Sequence, residues 1–231
     1  MNKYLVLGDG LLATEIVKQT GWSYISRKKD NFDFTNLNSY CHLIYNYETI
    51  INCIAYTKTY DNNKEKHWNT NYKAVVDLVD WCEIRKHKLC HISTDYLYTF
   101  SKEDASEEDV PVHCRTFYGY TKLLADAYVQ LKLKNYLLIR TSFKPRPFPY
   151  EKAIMTQVGN FDYTDTVSNI IIKLIEKNKT GIYNVGTSRK RIYDLAIQTK
   201  PDIIASYEYL DPNMPENITM NLDKLKKALD E

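Results

Sequence analysis

Short apolar runs recur along this chain, each followed by a polar turn and then by a stretch with helical periodicity. Tyr4-Leu5-Val6-Leu7, Tyr24-Ile25, Ile50-Ile51, Leu89-Cys90-His91-Ile92 and Tyr136-Leu137-Leu138-Ile139 read as strands. They are continuous rather than alternating, the pattern of strands covered on both faces. Between them, residues 11 to about 20, residues 69–87 and a stretch from Leu123 onward place apolar side chains on one helical face. Val75, Val76, Leu78, Val79 and Trp81 form that face in the second stretch. Leu123, Leu124, Ala125, Tyr128, Val129 and Leu131 form it in the third. Beyond residue 142 the pattern continues with a helix over 166–176, a strand within 181–186 and a helix from Arg191. Strands alternating with helices predict an α/β fold with a doubly wound parallel sheet.

Composition changes this picture little. The chain has 231 residues, 44% of them hydrophobic, with a mean hydropathy of −0.48. That is enough for one substantial domain with a small appended lobe. Lys and Arg number 31 against 29 Asp and Glu, interspersed, for a net charge of +2. A balance so even gives no electrostatic footprint for nucleic acid. The five cysteines, Cys41, Cys53, Cys82, Cys90 and Cys114, show no C-x-x-C spacing. They read as small hydrophobes in a reducing compartment, with no disulfide framework and no metal site. The first strand begins at residue 3 and no apolar run approaches a membrane span, so a cytoplasmic location and no membrane partner are expected. The 20 tyrosines form no stripe and read as core and surface filler.

Chemistry enters at the first strand–helix joint. Gly8-Asp9-Gly10-Leu11-Leu12-Ala13 is G-x-G-x-x-A between a buried strand and a helix. In that setting the glycines permit a tight turn and close approach of a dinucleotide pyrophosphate to the helix N-terminus. An ordinary strand–turn–helix joint is the plain alternative. After the next strand comes Ser26-Arg27-Lys28-Lys29, where an acidic residue would hold the ribose hydroxyl of NAD. A serine followed by basic residues suits the 2′-phosphate of NADP, so NADPH is favoured. Asp30 nearby leaves NADH possible.

A second constellation lies further on. Ser93-Thr94-Asp95-Tyr96 ends a strand, and Tyr118-Gly119-Tyr120-Thr121-Lys122 opens a helix. Y-x-x-x-K occurs five times here, at Tyr24/Lys28, Tyr60/Lys64, Tyr98/Lys102, Tyr118/Lys122 and Tyr128/Lys132, and is a surface pair in most. Only Tyr118/Lys122 combines a following helix with an upstream strand-end hydroxyl. A phenol is a weak acid at neutral pH, and an adjacent ammonium favours its ionised form. The Thr94 hydroxyl could then hold a carbonyl oxygen against Tyr118, with hydride supplied by a cofactor.

His91-Ile92-Ser93-Thr94-Asp95-Tyr96-Leu97-Tyr98 followed by Tyr118-Gly119-Tyr120-Thr121-Lys122 resembles the extended short-chain dehydrogenase/reductase superfamily. Within it, the resemblance is to the dTDP-4-dehydrorhamnose reductase family. Ile50-Ile51-Asn52-Cys53-Ile54-Ala55-Tyr56-Thr57 and Arg140-Thr141-Ser142 resemble further segments of that family. Departures are the missing third glycine of the superfamily's loop, Cys53 and Ile54 for alanines, and Phe143 for a tryptophan. Only about twenty residues separate Ser142 from Phe161, roughly half the family's usual length.

The resemblance implies a Rossmann core over residues 1–142, rejoined by 163–186. Residues 143–162 and 187–231 would form a small, reduced C-terminal substrate lobe. It implies catalysis by Thr94, Tyr118 and Lys122, with Lys122 depressing the Tyr118 pKa. It implies cofactor contacts from Gly8, Gly10, Leu11, Leu12, Ser26, Arg27, Asp33, Phe34, Cys53, Ile54, Ala55, Thr57 and Lys122. Substrate contacts would come from Thr94, Tyr96, Tyr118 and Phe143. The implied activity is NADPH-dependent reduction of the 4-keto group of a 4-keto-6-deoxy nucleotide sugar, by a monomer or a homodimer that completes the shortened pocket. Two alternatives stay open. One is a bifunctional epimerase-reductase using Cys114. The other is a non-catalytic NADP-binding subunit, as one relative of the family serves a methionine adenosyltransferase.

Overall fold

The structure, a computed structural model, describes residues 2–110 and 113–230. Six parallel strands form the central sheet, in the spatial order Gly181–Val185, Tyr136–Thr141, Lys88–Ile92, Tyr47–Asn52, Asn2–Leu7 and Ser23–Ile25. The chain order reverses between Asn2–Leu7 and Tyr47–Asn52. A crevice therefore opens at the carboxyl ends of those two strands.

Adjacent side chains along the strands go to opposite covers, as the continuous apolar runs predict. Val6, Ile51, Cys90, Ile139 and Val185 pack with Leu12 and Ile16 of helix Leu11–Thr20 and with Val167, Ile171 and Ile175 of helix Thr164–Glu176. Leu5, Leu7, Ile50, Leu89 and Leu138 pack with Val75, Leu78, Val79 and Cys82, and with Ala125 and Val129 of helix Phe117–Lys132. Burial of this many aliphatic side chains, each worth roughly 1.5–3 kcal/mol, holds the sheet.

Two helices start earlier than their apolar faces suggest, because polar caps rather than core contacts set their first turns. Asn63 accepts from Lys66 N–H, so the helix expected at residue 69 begins at Lys64. It runs through a π-helical turn, Trp68–Lys73, into Ala74–Arg85. Thr116 accepts from Gly119 N–H at 3.1 Å, which brings Tyr118 and Lys122 into the first turns of the helix Phe117–Lys132.

Beyond the sheet, short strands pair in small sets. Val158–Gly159 lies between Lys190–Arg191 and Asn217–Ile218, Lys152–Ile154 pairs with Ile204–Ser206, and Phe143–Lys144 pairs with Asp162–Tyr163. Phe148, Ala153, Ile154, Phe161, Tyr163, Ile192, Leu195, Ala196 and Ile203 form a separate cluster there. The closing helix, Asp223–Asp230, sends Leu225 and Ala228 into the core of the main sheet instead. Among the described residues no helix is long and apolar enough to cross a membrane.

Candidate active site

At the sheet's reversal point lies a cavity of about 540 Å³. Gly8, Asp9 and Gly10 line it from the first strand–helix joint, and Arg27, Lys28, Phe32, Asp33, Phe34 and Thr35 from the next connection. Cys53, Ile54, Ala55 and Tyr56 line it from the third, with Lys66 and Thr70 from the long helix. Gly8 has φ +109°, and a Cβ there would stand 3.0 Å from Ile54 Cγ1, so the turn requires glycine. A Cβ on Gly10 would meet nothing within 4 Å. The helix that follows has no side-chain cap and no acidic residue in its first turn. Its first N–H groups are left to an anion at the mouth, which suits a dinucleotide pyrophosphate.

Basic side chains flank the same cavity. Asp30 is turned inward, accepting from Ser26 N–H at 2.9 Å, so it closes its own turn rather than facing the cavity. Arg27 makes no side-chain hydrogen bond or ion pair among the described residues and lines the wall. A free guanidinium with the neighbouring carboxylate occupied is an arrangement for phosphate.

Beside this cavity the strand end and the helix meet. Thr94 Oγ1 accepts from Tyr96 N–H at 3.2 Å, opening the 3₁₀ turn Asp95–Tyr98. Its hydroxyl also stabilises the ionised form of the Tyr118 phenol, which burial nonetheless pushes up to about 12. Lys122 was expected to lower this group, but the charges acting on it are those of Asp95 and Asp126, and both raise it. Tyr118 is therefore a protonated phenol at neutral pH, poised as an acid. Gly119 lies under the preceding loop, where a Cβ would sit 2.9 Å from Cys114 Cβ and 3.3 Å from the Tyr96 carbonyl oxygen.

Lys122 is 1% exposed. Its Nζ donates to the Ile92 carbonyl at 2.7 Å and lies 3.0 Å from His91 Nε2. Asp95 is fully buried and pushed up to about 6, by burial first, against the stabilising hydroxyl of Ser142 at 2.6 Å and the charge of Lys144.

The cavity thus gathers Gly8, Gly10, Arg27, Asp33, Phe34, Cys53, Ile54 and Ala55 of the residues expected to hold a cofactor. The others lie elsewhere. Leu12 is packed in the core, and Ser26 is 1% exposed and caps the turn Arg27–Asp30. Leu11 and Thr57 are exposed and do not line the cavity. Phe143 packs against the main core at the start of the small lobe. Phe148 is buried in the cluster of the small lobe.

Tyrosines are not filler here. Tyr96 and Tyr118 meet edge-on at 6.3 Å, and the Tyr60 and Tyr96 hydroxyls are 2.6 Å apart. His67 sits 6.0 Å from the Tyr118 ring and 4.8 Å from that of Tyr56. Tyr60 and His67 lie far from Tyr118 in sequence, and only the fold brings them beside it. Lys66 and Thr70 had a faint signal, since they begin a helix just past the Asn52–Thr57 stretch.

Comparison with known proteins adds to the geometry. The family model of the RmlD substrate binding domain matches residues 2–144. The spore coat polysaccharide biosynthesis protein SpsK of Bacillus subtilis (strain 168) is 28% identical over 212 residues, covering 81% of this chain and 74% of that protein. A hypothetical dTDP-4-dehydrorhamnose reductase from Sulfolobus tokodaii superposes with a TM-score of 0.82 at 21% identity, over 98% of this chain and 94% of that one. The dTDP-4-dehydrorhamnose reductase of Bacillus anthracis str. Ames, solved in complex with NADP, gives 0.83 at 18% identity, over 98% and 92%. At such identities the two structures speak for the fold.

Proposed function

The chain belongs to the RmlD substrate binding domain family, and from that premise we propose that it is an NADPH-dependent reductase of the extended short-chain dehydrogenase/reductase type. Its substrate is a nucleotide sugar carrying a 4-keto group on a 6-deoxy ring. The observation that carries this reading is the buried, protonated phenol of Tyr118 beside Thr94, next to a cavity lined by Gly8, Gly10 and Arg27.

NADPH, when bound, supplies the hydride. Gly8, Gly10 and the open helix N-terminus would receive its pyrophosphate, Arg27 its 2′-phosphate, and Asp33 and Phe34 its adenine end. Cys53, Ile54 and Ala55 would lie along the sugar, with Lys122 behind them. Tyr118 holds a proton at its hydroxyl and delivers it to the 4-keto oxygen. Thr94 orients that oxygen, and Tyr96 borders the sugar. Proton delivery by a positioned acid contributes about 10²–10⁴ in rate. Sugar biosynthesis, the setting of SpsK, supports the substrate class.

Burial pushes the Cys114 thiol up to about 12, and it donates to the Leu97 carbonyl at 3.9 Å. Its hydrogen is committed to the loop backbone, which does not suit the acid–base role an epimerase would need. A non-catalytic binding role is the second reading, favoured by the Tyr60–Tyr96 hydroxyl pair beside Tyr118, which leaves it only 9% exposed.

The test is NADPH consumption on addition of a 4-keto-6-deoxy nucleotide sugar. Turnover supports the reductase. Tight NADPH binding with no turnover on dTDP-, UDP- or GDP-linked substrates would select the second reading.

A further inference from the structure

Behind Lys122, two buried side chains have no part in the proposed reaction. Asn52 and His91 face each other across neighbouring strands, and both are fully buried. Asn52 Oδ1 accepts from Ile54 N–H at 3.0 Å, which fixes the amide's orientation. Its Nδ2 therefore faces His91 Nδ1, at 3.2 Å, as a donor. An amide nitrogen offers no lone pair, so Nδ1 must be the accepting nitrogen.

A neutral imidazole with a bare Nδ1 carries its hydrogen on Nε2, and Nε2 lies 3.0 Å from Lys122 Nζ. An ammonium has donors only and cannot receive that hydrogen. A neutral amine can. Its lone pair accepts from His91 Nε2–H, and one of its own N–H groups donates to the Ile92 carbonyl at 2.7 Å.

We propose that the chain Asn52–His91–Lys122 stabilises the uncharged amine form of Lys122 in the cofactor-free protein, with His91 as the positioning residue that presents an N–H to it. The surroundings agree. Asp126, one turn further along the helix, favours the charged lysine, but its carboxylate is engaged by Arg140 at 3.1 Å from the next strand. Cys53, facing Lys122 from the third connection, also favours the charged lysine, but burial keeps it a neutral thiol. Burial draws Lys122 down to about 8 and holds His91 well below its usual range, so the imidazole offers no second proton. Charging Lys122 requires breaking its contact with His91. The inference rests on the reading of Lys122 as the lysine facing a cofactor. An acceptor arriving there would exchange His91 for a better partner, and the lysine would take up its proton at that moment.

The experiment uses the full chain without cofactor, at about pH 8.5. Nitrogen-15 NMR of labelled histidine should show His91 protonated on Nε2 and bare on Nδ1. The opposite tautomer, or an imidazolium, would overturn the proposal. The Lys122 side chain, followed by carbon-13 NMR, should titrate at or below about 8. Asn52→Asp keeps the acceptor for Ile54 N–H but takes the Nδ1 hydrogen, turning Nε2 into an acceptor. Its Lys122 midpoint should rise by one pH unit or more, a tenfold change. Asn52→Leu, which adds no charge, should raise the midpoint by less. Equal midpoints in all three proteins would also overturn the proposal. Where the variants do not fold, the wild-type tautomer decides alone. None of these readouts needs turnover, so an inactive protein with the Nε2 tautomer would sink the reductase and leave this inference standing.

Discussion

The sheet end and the small lobe hold their shapes by different means. At the sheet end, glycines and strand termini position the cavity, and two aliphatic covers hold the strands. In the small lobe the strands are two or three residues long. Polar side chains there tie loop to loop: Asn160 accepts from Met220 N–H at 2.7 Å and donates to the Thr187 carbonyl at 2.9 Å. Gln157 donates to the Pro215 carbonyl at 3.1 Å, and Asp162 binds both Lys190 and Thr187. A region built from a core tolerates many single changes. One built from side-chain ties has a few positions on which everything else depends.

Four measurements would break or sharpen that contrast. The largest effect belongs to the sheet end. Tyr118→Phe should cut turnover by about 10²–10⁴ while cofactor binding and thermal unfolding stay unchanged, because a hydroxyl is lost and no packing with it. A loss of fold would mean that the phenol is structural. In the small lobe, Asn160→Ala strands two backbone groups, which typically costs about 2–4 kcal/mol. Hydrogen exchange should show that loss in residues 152–160 and 187–220, with the strands of the main sheet still protected. Uniform loss of protection would make the two regions one cooperative unit.

Arg27→Ala tests the cavity's charge. NADPH should lose its advantage over NADH, of order 1–3 kcal/mol, in paired binding titrations. An unchanged ratio would place the 2′-phosphate elsewhere. The smallest effect concerns Asp95. Its folded pKa stands near 6, above the ordinary carboxylate value, so keeping it charged costs the fold stability above that pH. Asp95→Asn removes that cost and should stabilise by about 1–2 kcal/mol at pH 8, a tenfold change in proton affinity being worth about 1.4 kcal/mol. The net gain is held down because the amide gives up one of the two acceptors that Ser142 and Thr94 use. It should vanish as pH falls through 6 towards 4. A gain independent of pH would show that charge is not its cause.

The same contrast explains what could be read from the chain beforehand. Buried parallel strands announce themselves as continuous apolar runs, so the sheet, its helices and the Gly8–Gly10 turn were legible. The placement of Tyr118 and Lys122 in the first turns of a helix was legible because helix and strand end lie in one stretch. The lobe's strands were not, since two residues carry no periodicity and their partners lie tens of residues away. Tyr60 and His67 escaped for a related reason: a tyrosine that borders a site is written like one that fills a surface. The direction in which the Tyr118 pKa moves also escaped, because it depends on how deeply the phenol is buried, which spacing does not show.

Gly119 stands between Tyr118 and Lys122, and in the sequence it looks like a spacer. In the folded chain it is where the loop carrying Cys114 and the backbone of Tyr96 press on the helix, with no room for even a methyl group. The helix cannot roll about its axis without striking that loop. The aim of the phenol is thus set by an atom the chain leaves out, and Gly119→Ala should turn Tyr118 away from Thr94 while leaving every reactive group in place.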